Sequence, residues 1–349
     1  MTNRHITVRN RSGTVSFLWE KRAIVILLSL VAITSVCFIA GLSIGSTMIS
    51  PVAVVKYLLG ADDGEHQFII GTHRLPRMIL SLLVGAALGL SGLLLQGIVR
   101  NPLASPDIIG ITGGASVAAI AYIAYFSETA GIKWLPFASI LGAAIVSTAI
   151  YALSWNRGVT PYRLVLIGMG MAAATGALTM MMIVLSNTDV AAKAYIWMTG
   201  SVYGATWGQV YAMLSWLVVF VPLALLLNRV VNVQELGDDV AAGLGARVQW
   251  QRLGMIGISV ALAGAAVAFA GAIGFVGLMA PHMARKLAGR SYAVLVPVTA
   301  IIGGLLVCSA DVVARTAFLP LDIPAGVFTA GIGAPFFIYL LFRSRKPSR

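Results

Sequence analysis

The 349 residues are 59% apolar and only 10% charged, with a mean hydropathy of +0.92. No water-soluble domain hides that much apolar surface, so lipid is the solvent for most of the chain, and backbone groups must be satisfied within helices or a closed barrel. Long apolar runs without strand alternation select an all-α bundle. The net charge of +12 is scattered over short loops, a pattern that fits anionic lipid and argues against nucleic acid as a partner.

Residues 1–22 form a basic tail. The apolar core after it is too long for a cleaved signal and lacks a small-x-small site, so an uncleaved first span is expected. Segments of about 20 residues are predicted at 23–45, 78–98, 107–126, 136–155, 163–186, 207–228, 254–272, 274–288, 292–318 and 324–342. The seventh and eighth share one apolar run interrupted by Gly271, Gly274 and Gly277, and one kinked helix there would make nine spans. With ten, 18 of the 24 Lys and Arg fall on one side. Only Lys56, Arg74, Arg77, Lys133, Lys193 and Arg315 fall on the other. The positive-inside rule then puts both termini in the cytoplasm.

Several helix starts join a hydroxyl at N-cap to proline at the first helical position: Ser50-Pro51, Ser105-Pro106 and Thr160-Pro161. The first opens a short surface helix at 50–59. Breaks at Asn101-Pro102 and Thr160-Pro161 crowd the expected inner mouth, which makes these four residues candidates for a gate. Gly85-Ala-Ala-x4-Gly92 followed by Pro102 matches Gly264-Ala-Ala-x4-Gly271 followed by Pro281, each proline 17 residues after the first glycine. Two five-helix halves of opposite orientation, an inverted repeat, would produce this match, as would chance between two Gly/Ala-rich helices. Small residues at this spacing allow close helix contact on either reading.

Among polar residues within spans, Asp311 and Arg315 are spaced as an i,i+4 pair that can offset its own desolvation. His282 reads as a packing or hydrogen-bonding residue. The methionines Met169, Met171, Met180, Met181 and Met182 read as adaptable packing. Cys37 and Cys308 have no metal-ligand spacing and read as small core residues. The longest inner loop, 229–253, carries Glu235, Asp238 and Asp239 in basic surroundings. Two short helical pieces hinged at Gly237 and ended at Gly243-Leu-Gly245 fit its pattern.

Three blocks then carry a resemblance. Arg74-Leu-Pro-Arg77 opens the glycine-studded helix that runs to Asn101-Pro102 and Ser105-Pro106-Asp107. Gly271-Ala-Ile-Gly-Phe-Val-Gly-Leu-Met-Ala-Pro-His-Met-Ala-Arg285 is the second, and Asp311-Val-Val-Ala-Arg315 with Ile323-Pro-Ala-Gly through Pro335 the third. Together they resemble the FecCD-type permeases of ABC importers for iron–siderophores, haem and cobalamin, over about residues 23–342. The resemblance implies a cobalamin-permease-like fold of about ten helices in one transmembrane domain over 1–349, and a second permease subunit, identical or paralogous. It also implies a cytoplasmic ATPase dimer and an external substrate-binding protein, with no cofactor. It further implies that Arg74, Arg77 and Arg315 meet acidic residues of the binding protein. Glu235, Leu236, Gly237, Asp238, Asp239, Gly243 and Gly245 would belong to the loop that engages the ATPase, and the fifth helix, with Met169, would border the pathway. A ferric siderophore is the expected cargo, with haem and cobalamin open.

Other classes fit poorly. An ion-coupled carrier needs titratable or coordinating groups near the midplane, and the spans offer almost none beyond Asp311. A membrane enzyme or channel needs a catalytic cluster or polar stripe, and neither is visible. No Gly-Lys dipeptide occurs, so this chain has no P-loop and energy for transport must arrive through a partner.

Overall fold

The computed structural model describes residues 5–9, 16–61, 64–234, 237–318 and 321–344, with side chains from Lys21 onward except at 228–230 and 343–344. An antiparallel strand pair, β1 (His5–Arg9) and β2 (Ser16–Glu20), precedes the bundle, within the segment expected to be a cytoplasmic tail. The remaining elements are helical: α1 (Lys21–Ser43), α2 (Pro51–Leu58), α3 (Leu75–Val99), α4 (Ile111–Tyr125), α5 (Ser127–Ala130), α6 (Leu135–Leu153), α7 (Pro161–Val184), α8 (Thr188–Thr199), α9 (Trp207–Leu226), α10 (Asn228–Gln234), α11 (Asp238–Gly243), α12 (Val248–Ala270), α13 (Val276–Ala288), α14 (Tyr292–Thr316) and α15 (Ala325–Ser344). A π-helical stretch, Gln67–Arg74, leads into α3.

Every predicted span has a helix, but among the described residues only eight are long and apolar enough to cross a bilayer. The third and eighth are short: α4 has 15 residues and α13 has 13. The chain is a multi-pass membrane protein. Its seventh and eighth spans are separate helices, parted by the non-helical segment 271–275. Gly271 there has φ +68°, and a Cβ on it would meet the Trp197 carbonyl oxygen. Phe275 takes φ +66° and lies against Gly333 of α15. Unwound backbone at membrane depth is tolerated only when protein surrounds it. Ser201 N–H donating to the Ala270 carbonyl (2.7 Å) and Gly326 N–H donating to the Gly200 carbonyl (2.9 Å) supply that surrounding structure.

The central element is α3, 78% buried over its spanning window, flanked by α12, α13 and α14. Glycine makes this possible. A Cβ on Gly85 would strike the Gly303 carbonyl of α14, and one on Gly92 the Gly277 carbonyl of α13. Backbones in contact maximise dispersion where lipid supplies no hydrophobic drive between helices. Ser91 and Ser259 share a 2.7 Å hydrogen bond where α3 meets α12. By contrast α1 is peripheral, only 6% buried over its window.

The glycine repeat sits in α3 and α12, the second and seventh spans. Its prolines differ in setting, since Pro102 lies in a loop and Pro281 inside α13. What recurs is coarser: a long buried helix, a break, then a short helix, in each half. Of the three N-caps, Ser50 accepts from Ala53 N–H (3.2 Å) and Thr160 from Arg163 N–H (3.4 Å). Ser105 opens a 3₁₀ turn instead and donates to Asp107 (3.3 Å).

Gly92→Val should therefore destabilise the fold by about 1–3 kcal/mol or more, because backbone carbonyl, unlike a side-chain end, cannot move aside. Gly170→Ala on α7 faces open space and should be neutral. Thermal unfolding in one detergent checks both.

Candidate functional site

Two ends of the bundle carry nearly all the organised charge. At one end, hereafter the arginine end, Arg74, Arg77 and Arg315 are 6%, 9% and 8% exposed. Arg74 Nη1 donates to the Leu42 and Ser43 carbonyls (2.7 and 3.2 Å), and Nη2 donates to the Thr47 carbonyl (2.5 Å). Arg315 donates to the Gly41 carbonyl and lies 3.9 Å from Asp311. Both guanidinium groups thus satisfy carbonyls at the C-terminus of α1, where backbone acceptors lack helical partners and positive charge is favoured.

Arg77 is the hub. Its Nε and Nη2 donate to Asp311 (2.9–3.0 Å), and Nη1 and Nη2 donate to Asp322 (2.6 and 2.8 Å). The Tyr203 ring lies 5.5 Å from the guanidinium carbon. The planar fork lets one arginine serve two carboxylates at once. Asp311 is fully buried, whereas the Asp322 side chain stays 29% exposed. Asp322 and Tyr203 also line an open cavity of about 1290 Å³ between α6, α8 and α9. The expected Asp311–Arg315 pair is present, but the closer partner of Asp311 is Arg77 on α3.

The three arginines, expected to meet a partner's carboxylates, are each paired within the chain itself. Their donors are turned inward, because a guanidinium within a span costs least when carbonyls or carboxylates already surround it. The sequence signal for Asp322 was slight: it stands one residue before the Ile323-Pro-Ala-Gly block.

The opposite end holds the long loop. Asp238, first residue of α11, pairs with Arg100 at the end of α3 and with Arg252 of α12 (2.8 and 2.9 Å). Arg252 is fully buried and also donates to the Val159 carbonyl between α6 and α7. Burial alone would raise the Asp238 carboxyl, yet Arg252 and Arg100 outweigh it and hold it below the usual range. Asp238 therefore braces the loop against α3 and α12. Glu235 and Leu236 lie outside the described residues. Gly237 takes φ +115° and begins α11. Asp239, Val240, Gly243, Leu244 and Gly245 are exposed, joined nearby by Trp250.

The gate candidates lie in separate local structures. Asn101 accepts from Leu103 N–H (2.9 Å) in a turn of its own, and Pro102 is exposed. The 3₁₀ turn after it packs on α7, where a Cβ on Gly168 would strike the Ile108 carbonyl. Thr160 and Pro161 cap that helix, and Met169 faces outward, 55% exposed, with Met180 and Met181. His282 packs edge-on to Phe336, centroids 5.6 Å apart. Sequence reasoning missed Gln96, which donates to the Ala104 carbonyl (3.3 Å) and accepts from Arg285. It ties α3 to α13 beside the Asn101 turn.

A model of the FecCD transport family matches residues 33–343. The chain belongs to the FecCD transport family. This FecCD chain is 47% identical to the achromobactin transport system permease protein CbrC of Dickeya dadantii, over 88% of each. It is 45% identical to the probable siderophore transport system permease protein YfhA of Bacillus subtilis, over 94% of this chain and 97% of that one. Its fold matches a solved metal-chelate type ABC transporter in an inward-facing conformation, with TM-score 0.80 and 29% identity, over 92% and 99% of the two chains.

Arg77→Met should cost about 3–5 kcal/mol by leaving Asp311 buried and unpaired. Asp322→Asn should cost less, since its carboxylate keeps water. Adding Asp311→Asn to Arg77→Met should recover part of the loss, and unfolding midpoints of wild type and these three variants decide this. At the loop end, the Asp238 brace acts in full above the ordinary carboxylate value of about 4. It is lost as pH falls through the lowered value. The midpoint difference between wild type and Asp238→Asn should stay constant near neutrality and close only below about pH 4.

Proposed function

We propose that this chain is the membrane-spanning subunit of an ABC importer that carries a ferric siderophore across a bacterial cytoplasmic membrane. Near-full-length similarity to permeases named for achromobactin and siderophore transport carries the reading. In this arrangement the arginine end faces outward and the loop end faces the cytoplasm, with both termini inside, as the distribution of 18 basic residues supports. The chain works as one transmembrane domain and a second permease subunit completes the pathway. The exposed methionine face of α7, able to repack around a bulky ligand, suits a place beside it.

A cytoplasmic ATPase dimer supplies the energy. It docks on the loop within 229–253, through the surface formed by Asp239, Val240, Gly243, Leu244 and Gly245. Asp238 anchors that surface to α3 and α12 through its two arginines. Force on α11 thereby reaches the helix at the centre of the bundle. At the other end an external binding protein delivers the cargo. Its acidic groups engage Arg77 by replacing Asp322, the partner that remains in contact with water, while Arg74 and Arg315 keep α1 in place.

Vesicles holding the assembled transporter should take up a radio-iron siderophore with ATP and be indifferent to ionophores. Uptake driven by a proton gradient without ATP would overturn the reading. Leu244→Asp should lower ATP-driven uptake at least tenfold with membrane insertion unchanged. Asp322→Asn should alter capture of the loaded binding protein, most visibly at low salt. Unchanged affinity at every ionic strength would remove carboxylate exchange from the mechanism.

A further inference from the structure

The chain has two cysteines, 271 positions apart in sequence, and the fold brings them together. Cys37 lies on α1 and Cys308 on α14, with their sulfurs 3.9 Å apart. Neither is needed by the transport reading. Both are free thiols, Cys308 fully buried and Cys37 partly exposed. They sit in a small apolar cluster with Leu42, Met78 and Val312, just below the carbonyls that Arg74 and Arg315 hold. The contact is made by α1, the least buried of the eight candidate spans among the described residues.

We infer that Cys37 and Cys308 form a redox-modification site, a reversible disulfide that staples the peripheral α1 to α14. The two sulfurs already face each other across a helix contact, so bond formation needs a shift of the peripheral helix of less than 2 Å, roughly the difference between this separation and a bond of about 2.05 Å. Cys37, reachable from the lipid side, meets the oxidant first, and the sheltered Cys308 is the resolving thiol. The oxidant is a lipid-dissolved quinone. Each thiol gives up its hydrogen, one S–S bond forms, and two electrons and two protons convert the quinone to quinol. Reduction by a dithiol reverses the step. The bond closes a loop of most of the chain, which restricts the unfolded state strongly. It also holds α1 when the arginine contacts at its end loosen.

The test uses the full chain in native membrane vesicles, treated with a short-chain ubiquinone analogue, blocked with a maleimide, digested and examined by mass spectrometry. The expected result is a linked peptide pair containing Cys37 and Cys308, two hydrogens lighter than the sum of the reduced peptides and released by dithiothreitol. The oxidised protein should unfold at least about 3 °C higher than the reduced one. Cys37→Ala, a change at a partly exposed position, should abolish both the link and the shift while unfolding cooperatively itself. Maleimide on both thiols after quinone treatment would overturn the proposal. So would a disulfide-linked dimer in place of the internal link, or an internal link without a thermal shift.

Discussion

Lipid gives two helices no reason to hide apolar surface from each other, so a buried helix in this bundle must be held by contact itself. The position of α3 follows from that constraint. Its glycines let the carbonyls of Gly303 and Gly277 approach to where any Cβ would stand, and the dispersion gained over those close backbones replaces the missing hydrophobic drive. Of the helices that touch α3 in this way, α14 also carries Asp311, the buried partner of Arg77. Helices that do not, such as α1 and α7, stay exposed to lipid or to a partner.

Arginine plays the same part at both ends of the bundle. Arg77 gathers Asp311 of α14 and Asp322 of the following loop, while Arg252 gathers Asp238 of the long loop and the Val159 carbonyl. In each case a deeply buried guanidinium on a central helix holds a partly exposed aspartate on a connecting segment. The desolvation of the arginine is offset by several acceptors at once, and the aspartate keeps some water. An element built this way can be released at modest cost, because one half of the bond is already at the surface. On the reading proposed above, these are the two places where partners push or pull on the chain.

The helix starts at Ser50-Pro51 and Thr160-Pro161, the glycine helix and the separate short helix α2 could all be read from residue order, because caps and close packing are local chemistry. The short lengths of α4 and α13 could not. Apolar runs at 107–126 and 274–288 look like spans in composition, and only the packing of neighbouring segments permits the backbone at 101–110 and 271–275 to leave the helix. The inward turn of Arg74, Arg77 and Arg315 was hidden for a related reason. Their scarcity on one face marked them as special, but Asp322 and the carbonyls of Gly41, Leu42, Ser43 and Thr47 that receive them are brought together by folding.

By itself the sequence determined the solvent, the helical class, the approximate spans and the family, because apolar length, charge asymmetry and motif order are properties of the chain read in one dimension. The tertiary structure alone decided which charges meet. It assigned Asp238 to an internal brace while leaving Asp239 and Leu244 exposed, and it set Cys37 against Cys308. Pairings across 271 or 234 positions depend on how helices cross. Helix crossing is fixed by the sum of many close contacts, none of which is visible at either residue alone.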